Sequence, residues 1–196
     1  MKRLHRLRLT AALWATLVVA SCASPDPKLY TIAALPGTVS SGAAKVIALR
    51  SVGVAQYLLR SPIVMSSGDY RVALRANAWW AEPIDAMLGR VLVEDLAQRL
   101  PQSTIYASAG AVTGSPDATI ELEVQRLDLD HDGTLLLIAQ ASVTFKGRAS
   151  PDTRSFRISQ PPPSSDVEGQ VAAASTALAQ VADRIAVMLV ANPGRK

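Results

Sequence analysis

The chain has 196 residues, 49% of them hydrophobic, with 20 Lys and Arg against 16 Asp and Glu, one cysteine and two histidines. The formal charge of +4 is an N-terminal excess, because Lys2, Arg3, Arg6 and Arg8 precede any acidic residue and the remainder balances at 16 to 16. A balanced remainder excludes broad electrostatic adhesion to nucleic acid, and a lone cysteine excludes an internal disulfide framework.

The four basic residues open a signal-peptide pattern. Leu9 to Val19 form its apolar stretch, and Val19-Ala20-Ser21-Cys22 fits the bacterial lipobox of aliphatic, small, small, cysteine. About a dozen apolar residues fall short of the roughly 20 that a bilayer-spanning helix needs. The pattern predicts a signal peptide over 1–21 and a mature chain starting at Cys22, whose thiol carries a diacylglycerol and whose amine carries an acyl chain such as palmitate. That thiol is then an anchor and is withdrawn from catalysis or metal binding. Alanine at position 23, where an aspartate would favour inner-membrane retention, points to the outer membrane of a Gram-negative host, with the domain facing the periplasm. Residues 22–27 read as the lipidated tether. Its five residues Ala23 to Pro27 reach less than roughly 20 Å even when extended, which holds the domain, 28–196, close to its bilayer.

Along that domain, Lys28 to Ala33 reads as a short strand, Pro36 to Ala44 as a loop and Lys45 to Val54 as an apolar, β-branched strand. Tyr57 to Met65 is extended but interrupted by Pro62, which suits an edge strand or an irregular segment. Asp69 to Ala76 alternates as a strand does. From Glu82 the period becomes helical. Ile84, Met87, Leu88, Val91, Leu92, Leu96 and Leu100 make one stripe, whereas Arg90, Glu94, Asp95, Gln98 and Arg99 form the polar face, on which carboxylates such as Glu94 and Asp95 are expected to be solvated. A helix over about 82–100 follows, ended by Pro101. Asp117 to Val124 and Leu135 to Phe145 alternate as the arms of an antiparallel hairpin, and Thr153 to Ser159 adds a strand before Pro161-Pro162-Pro163. A capping box from Ser165 to Glu168 opens a second helix, about 166–191, with apolar positions spaced by three and four. Gln180, Asp183 and Arg184 interrupt it, so a core-packing role is expected over a membrane span. The fold class is α+β: a mainly antiparallel, mixed sheet covered by two helices.

Chemistry-bearing motifs are few. Asp128 to Gly133 imitates the first half of a calcium loop, but Ala139 stands where the bidentate acid belongs and strands flank it, so an Asp-Gly hairpin turn is the expectation. His5 leaves with the signal peptide, which leaves His131 in that turn as the sole histidine for a hydrolase reading. No Gly-x-Ser-x-Gly elbow, phosphate loop or His-Glu-x-x-His is present. The expectation is a protein that is not an enzyme and takes no cofactor or metal. Trp79 and Trp80 are adjacent at a strand-to-helix junction. Neighbouring residues in extended chain face opposite ways, which would put one indole in the core and the other partly outside; packing of both under the helix is an equal alternative.

Trp80-Ala81-Glu82-Pro83-Ile84 resembles the Arg-Trp-Ala-Glu-Pro-Leu signature of the PqiC-like ABC-type transport auxiliary lipoproteins. Tyr57-Leu58-Leu59-Arg60-Ser61-Pro62-Ile63-Val64 is similar to that family's Tyr-Leu-Asp-Arg-Pro-Gln-Ile-Val, and Tyr30-Thr31-Ile32 to its Tyr-x-Leu. Leu59 departs from the family's aspartate, and Trp79 from its arginine. The resemblance implies a non-catalytic, outer-membrane subunit of a lipid-transport system between the two membranes. Its implied partners are a periplasmic mammalian-cell-entry (MCE) domain protein and an inner-membrane permease or ABC transporter. A homo-oligomer is compatible with this, and no nucleic acid is implied. Tyr57, Arg60, Trp79, Trp80 and Glu82 are then the candidate contact surface, and Cys22 the lipid attachment site. The alternative is a stand-alone periplasmic carrier that holds a lipid itself.

Overall fold

The computed structural model describes residues 26–66, 70–111 and 114–191. Cys22, the signal peptide and Asp69 lie outside them. The architecture is α+β, as expected, but it has two sheets where one was expected. A five-stranded sheet runs in the order β5-β2-β6-β7-β8, formed by β2 (Val46–Val54), β5 (Thr104–Ala107), β6 (Ala118–Leu129), β7 (Leu135–Phe145) and β8 (Asp152–Gln160). The smaller sheet has the order β1-β4-β3, from β1 (Lys28–Tyr30), β3 (Pro62–Ser66) and β4 (Val72–Trp80). Helices α1 (Ile84–Arg99) and α2 (Val167–Ala191) pack together and against the large sheet.

The centre of the core is the β6–β7 hairpin, whose alternation is strict enough that one face reads Leu135, Leu137, Ala139, Ala141, Val143 and Phe145, all buried. Each large apolar side chain so buried contributes about 1.5–3 kcal/mol relative to an exposed one. Its turn is the expected Asp-Gly kind: Gly133 takes φ +80° and donates to Asp130 O at 2.9 Å. The predicted stripe of α1, from Ile84 to Leu100, is buried throughout. Along α2, Ala173, Ala174, Ala177 and Ala182 are buried too, and their small side chains let the helix approach closely. Although α2 is long and apolar enough to cross a membrane, it is largely interior to the domain.

Two sequence expectations fail here. Asp95 and Arg99 are not solvated but fully buried, at 0% and 1% exposure. The stretch after β1 covers this flank of α1: Leu35 N–H donates to Asp95 Oδ1 at 2.8 Å, and Arg99 Nη1 donates to Leu35 O at 3.0 Å. Arg99 also reaches Asp183 Oδ1 with Nε at 2.6 Å and Ala179 O with Nη2 at 3.1 Å. Gly37 permits the close approach, because a Cβ there would run into the Arg99 guanidinium. Burial pushes the Asp95 carboxyl up to about 6, against the lowering pull of the Leu35 N–H and Arg99. Its Oδ2 is buried without a hydrogen bond.

The second correction concerns the start of α2. Asp166, not Ser165, caps it by accepting the Gly169 N–H at 2.8 Å. Glu168 is turned instead toward the Tyr30 hydroxyl, which donates to its Oε1 at 3.0 Å. Arg75 Nε donates to Gln170 Oε1 at 3.0 Å, and Gln170 Nε2 to Val64 O at 2.9 Å. The first turns of α2 thus fasten one face of the small sheet, with Ile63, Ala78 and Val171 packed between.

Candidate interaction site

β4 ends in the two tryptophans and passes through Ala81-Glu82-Pro83 into α1. Hydrogen bonds fix this passage on both sides. Trp80 N–H donates to Ser61 O and Ala81 N–H to Tyr30 O, both at 2.8 Å. Pro83, with φ −51°, stands just before the first helical residue, where its missing N–H costs nothing. Glu82 Oε1 accepts from Arg90 Nη2 at 2.6 Å and Nε at 3.1 Å, and Arg90 Nη2 also donates to Thr31 Oγ1 at 3.2 Å.

The result is a surface recess of about 350 Å³ lined by Leu59, Arg60, Ser61, Trp80, Glu82 and Ile84 among others. Arg60 is exposed, Glu82 half-buried, and Trp80 half-buried with its packing shared between the main core and the smaller cluster under β4. Chemically the recess offers one cation, one anion already engaged by Arg90, an indole and an aliphatic floor. That mixture suits recognition of a peptide segment, and it holds no nucleophile paired with a base.

Of the five candidate surface residues, then, Arg60, Trp80 and Glu82 come together. Trp79 is placed on the opposite face of β4, 40% exposed beside Leu29, its partner across the sheet. Tyr57 lies away from the recess. It sits in a 3₁₀ turn (Gln56–Leu58), packs against the main core and donates its hydroxyl to Asp128 Oδ2 at 2.7 Å. Burial, and next the Asp128 carboxylate, push its phenol well above the usual tyrosine range. Asp128 is itself buried and accepts from Arg126 Nε at 2.8 Å. The acidic cluster at 128–132 is therefore partly a structural tie and partly a turn. No group of three metal-ligating side chains is found among the described residues. His131 is exposed, with Nδ1 at 3.2 Å from Asp130 Oδ1.

A feature the sequence reading missed is an open groove of about 620 Å³ between α1 and the β2–β5 edge, lined by Leu49, Val52, Ala86, Gly89, Val93 and Ala107 among others. Gly89, which turns its bare Cα toward Val52 and Leu49, was the available signal.

Residues 30–186 match the model of a family described as the ABC-type transport auxiliary lipoprotein component. The chain belongs to that family. The intermembrane transport lipoprotein PqiC of Escherichia coli (strain K12) is 24% identical over 143 residues, covering 70% of this chain and 73% of that protein, and its Shigella flexneri counterpart matches equally. Two crystal structures share the fold. An uncharacterized protein superposes with a TM-score of 0.72 at 20% identity, over 84% of this chain and 99% of that one. Protein XCC0632 from Xanthomonas campestris gives 0.69 at 16% identity, over 83% and 95%. The matched span begins at Tyr30, the last residue of β1, includes the recess and α1, and ends within α2, so the site described above lies inside it. Membership makes the protein an auxiliary component of transport.

Proposed function

We propose that this protein is the non-catalytic, outer-membrane-anchored subunit of an MCE-type lipid-transport system, facing the periplasm and binding the MCE-domain protein through the recess around Arg60, Trp80 and Glu82. The observation that carries the reading is the convergence on one recess of Arg60, which the segment Tyr57 to Val64 shares with the family pattern, and of Trp80-Ala81-Glu82-Pro83. Nothing in the core requires Arg60 to be there, since it is exposed. An exposed residue of that kind, in a recess that also holds an indole, is suited to partner recognition. Acyl chains on Cys22 supply the location, each buried methylene adding about 0.8 kcal/mol.

The test is affinity purification of the natively lipidated protein from gently solubilised membranes, with Cys22→Ala and Arg60→Glu variants alongside. Recovery of an MCE-domain protein with the wild type, and its loss with folded Arg60→Glu, is the expected outcome. Undiminished recovery with Arg60→Glu would remove the recess from the contact. A second reading, the stand-alone lipid carrier, is favoured by the apolar groove beside α1. Recovery of stoichiometric lipid with no protein partner would put that reading first.

A further inference from the structure

The strand β4 leaves its second face partly open, although Val64 of β3, opposite Leu74 on that face, is buried in the main core. Its burial alternates from Val72 to Ala76, slips at Asn77 and resumes at Ala78, so that Val72, Leu74, Ala76 and Trp79 all face outward. Asn77 makes the slip by adopting φ +53°, a left-handed conformation that asparagine tolerates better than most residues. If Asn77 instead followed the regular alternation, Trp79 would turn inward, with Arg75 and Ala73. The inward residues Ala78, Trp80 and Arg75 are occupied by the core and α2. The outward row is apolar and uncovered: Val72 is 54% exposed, Leu74 46% and Trp79 40%, and Leu29, directly opposite Trp79, is 64% exposed. Lys28, beside Leu29, is exposed too.

The place where the chain enters this sheet says what covers the row. β1 is parallel to β4, with Lys28 opposite Ala78, so the N-terminal end of β1 points toward the Val72 end of β4. Cys22 lies six residues before Lys28 and reaches at most about 20–22 Å from it. The row from Ala78 back to Val72 is also six residues, about 20 Å in a strand. An acyl anchor on Cys22 can therefore insert alongside the row, and the tether lets the domain stand off from the lipid by no more than that same length.

We infer that the outward face of the small sheet, formed by Leu29, Val72, Leu74 and Trp79, is a membrane-contact surface that lies on the same bilayer that holds the acyl chains. Tryptophan favours the interfacial zone, where its ring is buried and its N–H stays wet. The contact sets an orientation. The membrane takes one face of β4 through Trp79, while Trp80 on the other face serves the recess. This inference rests on the lipid-anchor reading of Cys22.

The mature chain has two indoles, Trp79 and Trp80, so a Trp80→Phe variant isolates the first, with circular dichroism to verify its fold. The natively lipidated variant is reconstituted into phosphatidylethanolamine–phosphatidylglycerol vesicles with and without brominated acyl chains, and intact mass reports the lipid adduct. The expected result is Trp79 emission that is blue-shifted and loses intensity with brominated lipid, while a Trp79→Phe variant, reporting on Trp80, is not quenched. Water-like, unquenched Trp79 emission from a protein that carries the adduct overturns the membrane contact and leaves the anchor intact. Blue-shifted but unquenched emission assigns the face to protein, such as a second copy, and overturns it equally. A protein lacking the adduct and remaining in the soluble fraction overturns the anchor reading and this inference with it.

Discussion

Arg99 on α1 and Asp183 on α2 are joined by a 2.6 Å Nε to Oδ1 contact in which the arginine is wholly buried and the aspartate is about half exposed. The arginine's other donors go to the carbonyls of Leu35, Asp95 and Ala179, so a single side chain links both helices to the loop that follows β1. Asp95, four residues earlier, is within 3.8 Å of the same guanidinium.

Removing that guanidinium leaves three carbonyls without these donors and Asp95 without its nearest cation. Arg99→Ala is expected to destabilise by about 3–5 kcal/mol, the usual cost of breaking a buried charged network from one side. Arg99→Lys keeps the charge but cannot reproduce the fork and is expected to lose most of the same stability. Urea unfolding followed by circular dichroism measures both. A loss below about 1 kcal/mol, the range of surface pairs, would mean that the network is not structural.

Asp95 gives the pH dependence a definite sign. Its carboxyl is pushed up to about 6 in the folded chain from an ordinary 3.8, so the folded state holds its proton more tightly than the unfolded one. This contribution to stability is complete below about pH 4 and is lost as pH rises through about 6, a tenfold difference in proton affinity corresponding to about 1.4 kcal/mol. Asp95→Asn keeps an acceptor for Leu35 N–H and cannot ionise. The variant is expected to lose this downward slope between pH 4 and 7 and to match or exceed wild-type stability at pH 7.5. Denaturation midpoints across that range decide it. Parallel curves for the two proteins would show that Asp95 does not titrate there.

The two tryptophans should behave as opposites despite being adjacent. Trp80 packs against both clusters, whereas Trp79 is on the uncovered side. Trp80→Ala is expected to cost at least about 2 kcal/mol through lost burial and an unfilled cavity. For Trp79→Ala in detergent-free buffer, a change within about 0.5–1 kcal/mol is expected, as at other partly exposed positions. Chemical denaturation of the two variants in one Cys22→Ala background compares them directly. Equal losses would contradict the two-faced reading of β4.

Much of this architecture was legible wherever one periodicity governed one element. β7 occurs at Leu135–Phe145, the bounds its alternation marked, and the α1 stripe is buried residue for residue. The opposed indoles were only one of two readings open in the sequence, because the slip at Asn77 that turns Trp79 outward has no periodic signature. What escaped notice depends on chain that has no periodicity. Asp95 and Arg99 look like a solvated helix face until an irregular loop is laid over them, and the loop's own sequence gives no sign of where it will lie. Tyr57 was grouped with Arg60 by proximity in sequence, but its hydroxyl is claimed by Asp128, 71 residues away. β5 is four residues long and exists because β2 offers it an edge. The division into two sheets follows from the parallel β1–β4 pairing, a non-local choice that alternation cannot reveal.

The interior position of β2, between β5 and β6, carries a consequence for how the molecule acquires its structure. Both of its neighbours, β5 and β6, lie later in the chain, opposite residues 104–107 and 118–124, and both pairings are parallel. β6, β7 and β8 by contrast form a meander of sequential antiparallel strands. Closing the long loops to β2 costs entropy that local pairing avoids, so the meander is expected to assemble first and to recruit β2 afterwards. Conservative truncations should therefore give φ-values well above 0.5 at Leu137 and near zero at Ile47, with the reverse order disproving the sequence of events. The N-terminal third of the chain would then be the last part to settle, so the strand next to the tether would dock only after the core that receives it has formed.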